Sequence, residues 1–179
     1  MSKILVVDDD ASVCGIIRDV LKDAGHEVDT AQDELDAADR IASKAYEAVI
    51  ADMVMRGPEG GLHVLRAAKE KDPLTQVIVL TAYGSVANAV EAIKGGAFTY
   101  LEKRGTGTAE TVMLRQKLDR ALEYRAARLS ADELSGAIEE AAKVLAGVVS
   151  QIEEVSALLA TAARARQQLS ASNGSESRG

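Results

Sequence analysis

Residues 3–10 read KILVVDDD, an apolar run rich in β-branched side chains that stops abruptly at three carboxylates. Four consecutive apolar residues without alternation suit a strand buried on both faces, as in a parallel sheet covered on each side by helices. EAVIAD (47–52) and QVIVLT (76–81) repeat the type, and HEVDTA (26–31) and FTYL (98–101) complete a set of five strand candidates. Segments of helical period lie between them, near 11–24, 33–44, 62–71 and 86–94. Gly25 and the Gly95-Gly96 pair close two of these, where left-handed backbone costs little. The alternation predicts βαβ units and a doubly wound parallel α/β fold.

Ligand sites of such sheets form beyond the carboxyl ends of the strands. Four of the five predicted strands end in a residue with chemical capacity: Asp8 and Asp9, then Asp52, then Thr81, then Lys103. Carboxylates so close repel one another unless a cation sits among them. An all-oxygen donor set without His or Cys suits Mg²⁺.

The stretches ILVVDDD, AVIADMVM, VIVLTAYGS and GAFTYLEK, in this order and spacing, give residues 1–125 a resemblance to the response-regulator receiver domain of two-component signalling, closest to receivers of the enhancer-binding transcription activators. The resemblance implies a flavodoxin-like five-stranded sheet in the order 2-1-3-4-5. It further implies that Asp52 takes a phosphoryl group from a sensor histidine kinase, so that the chain is a switched regulator and not an enzyme. Asp9 would ligate Mg²⁺ directly and Asp8 partly through water, with Asp52 and the backbone carbonyl of Val54 completing the ligands. Lys103 would pair with a phosphoryl oxygen. Thr81 and Tyr100 would act as the switch, biasing a surface around the fourth helix, fifth strand and fifth helix.

Taken singly, these residues have plainer readings: Asp8 to Asp10 as caps of the helix that follows, Thr81 as a strand residue, Tyr100 as a half-buried ring, Lys103 as a surface lysine. Two functional rivals also stand. A haloacid-dehalogenase-type phosphatase would draft Asp8, Asp10, Thr81 and Lys103 but leaves Asp52 unexplained. A receiver-like interaction module that never accepts phosphate draws on two departures from the family: Met55-Arg56-Gly57-Pro58-Glu59-Gly60-Gly61 in place of the usual turn after the acceptor, and Arg104 in place of the proline after the lysine. A cis bond before Arg104 would cost about 3 kcal/mol, so a trans bond is expected.

Beyond residue 128 the pattern changes. Ser130 with Glu133 three residues on forms a capping box, and Leu129 is set to staple against Leu134, which predicts a new helix from 130 to about 169. The expected organisation is therefore a receiver domain over 1–128, a helical extension over 129–169 and a disordered tail over 170–179. Ile138, Leu145, Ile152 and Leu159 recur every seven residues, with Ala141, Val148, Val155 and Ala162 each three further on, an a/d seam over about four heptads. Val144 and Leu158 widen the stripe. This predicts a coiled coil or bundle, favoured as a homodimer with the helix of Leu114, Leu118 and Leu122 contributing, or else docking to a helical partner.

The rest of the composition narrows the classes. The chain has 179 residues, 47% hydrophobic, with a net charge of −7. Cys14 is the sole cysteine, which excludes an internal disulfide and a Cys-based zinc site; its place on a stripe with Ile17 and Leu21 predicts a buried thiol. Residues 103–128 hold seven Lys or Arg against three acids, but with 3% aromatic content they read as a solvated helix face and argue against nucleic-acid binding. No apolar run approaches the roughly 20 residues of a membrane span, and MSKILVVDDD turns acidic too early for a signal-peptide core. A cytoplasmic protein without a membrane partner is expected.

Overall fold

The computed structural model describes residues 1–55, 59–82, 86–103 and 108–175. Within them five strands and five helices alternate: β1 (Lys3–Val7), α1 (Ala11–Asp23), β2 (Glu27–Ala31), α2 (Glu34–Ser43), β3 (Ala48–Asp52), α3 (Gly60–Lys71), β4 (Gln76–Thr81), α4 (Val86–Lys94), β5 (Thr99–Glu102) and α5 (Thr108–Ser175). The strands form one parallel sheet in the order β2-β1-β3-β4-β5. The departures at Arg56 to Pro58 and at Arg104 fall outside the described residues.

Period-2 alternation splits each central strand between two cores. Leu5, Val7, Val49, Ala51, Val77 and Val79 face Ala37 and Ile41 of α2, Leu62 and Leu65 of α3 and Ala92 of α4. Ile4, Val6, Ile50 and Ile78 face Cys14, Ile17 and Leu21 of α1, with Leu114, Leu118 and Ala121 of α5. Every residue of β3 and β4 is buried, which is why these strands carry no alternating polarity.

Local chemistry sets the helix ends. Asp10 Oδ1 accepts from the backbone N–H of Ser12 at 2.8 Å and of Val13 at 3.4 Å, capping α1. Asp33 does the same for α2 through Leu35 and Asp36. Gly25 and Gly96 take positive φ, 87° and 90°, just past α1 and α4, where a side chain would be strained.

Three expectations for the C-terminal third need correction. First, α5 passes through Leu129 and Ser130 without a break, so Ser130 caps nothing. A cap requires the preceding helix to stop, and no Gly or Pro lies between 108 and 135 to stop it, while an interior Ser costs only a few tenths of a kcal/mol. The same helix continues past Leu169 to Ser175, where the tail was expected to be irregular; residues 176–179 fall outside the described residues. Second, Leu114 and Leu118 are buried in the receiver's own core with Leu122 packed against it, so these leucines are not free to join a bundle. Third, against the expectation of no apolar run of spanning length, Ala109–Arg164 contains a stretch that by length and composition alone is apolar enough to cross a membrane, with Glu153 and Glu154 interrupting it.

The chain falls into two units, Met1–Ser130 and Ala131–Gly179. In the second, every described side chain is exposed, and the seam residues Leu134, Ile138, Leu145, Val148, Ile152, Val155 and Leu159 are 46–66% exposed.

Candidate functional site

The parallel register brings the carboxyl ends of β1, β3, β4 and β5 to one edge. Asp8 follows β1 and is 2% exposed, its position fixed by a backbone hydrogen bond to the Ala31 carbonyl and by Asp10 N–H donating to its Oδ1 at 3.1 Å. Asp52, 7% exposed, ends β3, and Thr81, fully buried, ends β4. Lys103 follows β5, and its backbone N–H donates to the Thr81 carbonyl at 2.6 Å. That bond aims the lysine back across the sheet edge. Its Nζ lies 2.6 Å from Asp8 Oδ2 and 3.1 Å from Asp52 Oδ2.

The site holds more negative charge than one ammonium can neutralise. Carboxylate oxygens of Asp8, Asp9 and Asp52 lie within 4.8 Å of one another. Burial pushes the Asp52 carboxyl above the usual range; Lys103 opposes the shift through charge and hydrogen bond, and the Asp8 charge adds to it. Burial alone would pull the Lys103 ammonium down, but the Asp8 hydrogen bond and the two carboxylates outweigh it and hold its pKa above the ordinary value. Asp52 Oδ1 is buried and makes no hydrogen bond. An orphaned carboxylate oxygen among three acids is a hard-cation donor set, and Mg²⁺ fits it with retained waters.

The remaining expected residues divide. Val54 is partly buried against the core two residues after Asp52. Tyr100 packs against the same core, with its hydroxyl buried and without a hydrogen-bond partner. Asp10 is committed to the α1 cap, and backbone hydrogen bonds from Ser12 and Val13 hold its carboxyl low. It stands outside the acidic cluster of Asp8, Asp9 and Asp52. Cys14 is buried beneath the site, Sγ 3.5 Å from the Asp8 carbonyl, and burial followed by the Asp8 charge pushes its thiol up to about 11.

Sequence reasoning missed Gly61. A Cβ there would lie 2.5 Å from the Asp52 carbonyl oxygen and 2.7 Å from Met53 Cα, and the Gly61 N–H donates to the Met53 carbonyl at 3.1 Å. The start of α3 is thereby seated on the backbone that carries Asp52. The signal was the Gly60-Gly61 pair, which read as part of a turn and not as a close approach. The Asp72 to Arg125 ion pair at 2.8 Å, tying α5 to the loop after α3, had no signal in spacing at all.

Comparison with known proteins decides the family, because the sequence matches the response regulator receiver domain over residues 4–119. The chain belongs to that family. The receiver is 35% identical over 114 residues to an NtrX-like response regulator of Rickettsia bellii, covering 63% of this chain and 24% of that protein. It is 40% identical over 100 residues to the transcriptional regulatory protein ZraR of Klebsiella oxytoca, covering 56% of this chain and 22% of that one. The chain thus spans about a quarter of the length of these relatives. Among solved structures, the beryllofluoride-activated NtrC4 receiver domain dimer superposes with a TM-score of 0.61 at 32% identity, covering 70% of this chain and 99% of that one. The receiver is therefore of the kind found in enhancer-binding-type regulators, with the fold and strand order expected from its sequence.

Proposed function

We propose that this receiver is a phospho-accepting switch in which Asp52 takes a phosphoryl group from the phosphohistidine of a sensor kinase. The observation that carries the reading is Lys103 Nζ held between Asp8 and Asp52 beside an unpartnered Asp52 oxygen. In the transfer an Asp52 oxygen attacks phosphorus as the P–N bond to the donor imidazole breaks, and the electron pair leaves on that nitrogen. Phosphoryl transfer depends on positioning and on neutralising charge at the equatorial oxygens. Lys103 supplies one such charge by exchanging its carboxylate partners for a phosphoryl oxygen. Asp8, Asp9, Asp52 and the Val54 carbonyl would hold Mg²⁺, which when bound supplies further charge neutralisation. Thr81 donates its hydroxyl to the new phosphoryl group, and Tyr100 follows toward the space vacated.

An apolar groove of about 240 Å³ beside Lys103, lined by Val13, Ile16, Leu101 and Met113 among others, gives the donor protein a place to dock. The output is read as interaction with protein, since the basic stretch 103–128 is interspersed with three acids and the chain has only 3% aromatic residues to stack on bases. The exposed seam of α5 is read as a self-association surface, and the protein as cytoplasmic and not membrane-spanning, since Glu153 and Glu154 would each cost roughly 3 kcal/mol near a bilayer centre.

Incubation with acetyl phosphate and Mg²⁺ should add one phosphoryl group to the wild type and none to Asp52→Asn, read by intact mass. Equal modification of both would exclude Asp52 as acceptor. No modification, together with no spectral response to beryllofluoride, would favour the receiver-like module that never accepts phosphate.

A further inference from the structure

In the exposed half of α5 most large apolar residues and the acid pairs are mirrored about Ala146-Gly147, although Ala141 answers Ile152, Lys143 answers Ser150 and Ser135 answers Leu158. Reading outward from that point, Leu145 answers Val148, Val144 answers Val149, Glu140 and Glu139 answer Glu153 and Glu154, Ile138 answers Val155, and Leu134 answers Leu159. A two-fold axis perpendicular to the helices at Ala146-Gly147 sets each residue of one copy beside the mirror position of the other, so the mirrored apolar positions meet apolar partners. Resting on the reading of the α5 seam as a self-association surface, we infer that residues 131–162 pair with the same stretch of a second copy in antiparallel orientation, the axis passing at Ala146-Gly147.

Side-chain volume separates this from the parallel alternative. A parallel in-register pair stacks each seam residue on itself, so that Ala141 meets Ala141 while Ile138 meets Ile138 and Leu145 meets Leu145. Its core would be pinched in the interior at Ala141, whereas the antiparallel pair confines Ala–Ala layers to its ends, where Ala131 meets Ala162. The antiparallel pair opposes Leu134 to Leu159, Ile138 to Val155, Ala141 to Ile152 and Leu145 to Val148, which puts at least one large apolar side chain in each of these layers and evens the packing. Nothing enforces the parallel register, because the e and g positions flanking the seam, Val144, Val149, Gln151 and Leu158 among them, hold no charged residue between 135 and 163, and ion pairs at these positions are what fix it. The acids lie on the opposite face, where they repel little in either arrangement. Antiparallel helix dipoles add a small preference of the same sign.

The test uses the full chain with single cysteines at seam positions, Ala131→Cys and Ala162→Cys. Native Cys14 is 3% exposed and serves as the control, since the parent chain should form no disulfide-linked dimer under mild oxidation. In the antiparallel pair the two positions oppose each other across copies, while equivalent residues stand roughly 45 Å apart along the axis at 1.5 Å per residue. A mixture of the two variants should therefore yield an Ala131→Cys to Ala162→Cys cross-link, identified by peptide mass, at least tenfold above the self-cross-link of either variant alone. Dominant self-cross-linking of each variant alone would overturn the antiparallel assignment while leaving self-association standing. A monomeric mass for the parent chain by light scattering at micromolar concentration would overturn the self-association on which it rests.

Discussion

Lys103 balances the buried charge of Asp8 and Asp52, and under the proposed function it would also receive a phosphoryl oxygen. The Lys103→Met chain leaves Asp8 and Asp52 buried without their cation, and removing one member of such a pair costs about 3 kcal/mol. The folded-state pKa of Asp52 is already raised, and loss of the lysine raises it further. A carboxyl with a raised folded pKa contributes stability below its unfolded pKa of about 4 and loses it as pH rises through the folded value. Urea titrations should therefore show the deficit of Lys103→Met largest at neutral pH and shrinking as pH falls, with Mg²⁺ restoring part of it at neutral pH; a deficit independent of pH would mean that the lysine acts by packing alone. At this scale much of the site was legible, because Asp8, Asp9, Asp52 and Thr81 stand at the ends of apolar runs. The division of labour in Asp8-Asp9-Asp10 was not. Three identical residues in succession give no sign of which one caps α1, and only the backbone direction after β1 assigns that job to Asp10.

Between elements, the backbone that carries Asp52 is held by the seat of α3 on the end of β3. Gly61→Ala places a methyl group 2.5 Å from the Asp52 carbonyl oxygen, so either α3 or the acceptor backbone must shift. The neighbour is backbone and cannot rotate away, and overpacking of this kind costs about 1–3 kcal/mol. Phosphorylation by acetyl phosphate should slow at least several-fold in Gly61→Ala, whereas Gly136→Ala, whose added Cβ meets nothing within 4 Å, should leave the rate unchanged. Equal rates in both variants would show that the α3 seat does not govern Asp52. The strands were legible because β1, β3 and β4 are covered on both faces and so lack polar interruption. The start of α5's exposed half was misread for a converse reason: the capping box at Ser130 and Glu133 is a real local preference, but it decides a helix start only where something upstream ends a helix, and Arg120 to Leu129 contains no residue that does.

On the scale of the whole chain, one helix serves two environments. Its first part gives Leu114, Leu118 and Ala121 to the receiver core, and the residues from Ala131 onward leave an apolar stripe in water. The heptads made that stripe visible in sequence, but they could not show which leucines were already spent, since Leu114 and Leu118 carry the same periodic signal as Leu134 and Ile138. Under the proposed self-association, a helix so exposed would gain much of its stability from the second copy. Placing a carboxylate in the seam should therefore act on assembly and leave the proposed acceptor alone, because Ile152 belongs to the second unit and Asp8, Asp9, Asp52, Thr81 and Lys103 all lie in the first. Ile152→Asp should convert the full chain to a monomer at micromolar concentration by light scattering and lower its helical circular dichroism, while acetyl phosphate still modifies Asp52 at a rate within about twofold of the wild type. An unchanged oligomeric mass would remove the seam as the assembly surface, and a loss of Asp52 modification equal to the loss of assembly would mean that phosphorylation requires the oligomer.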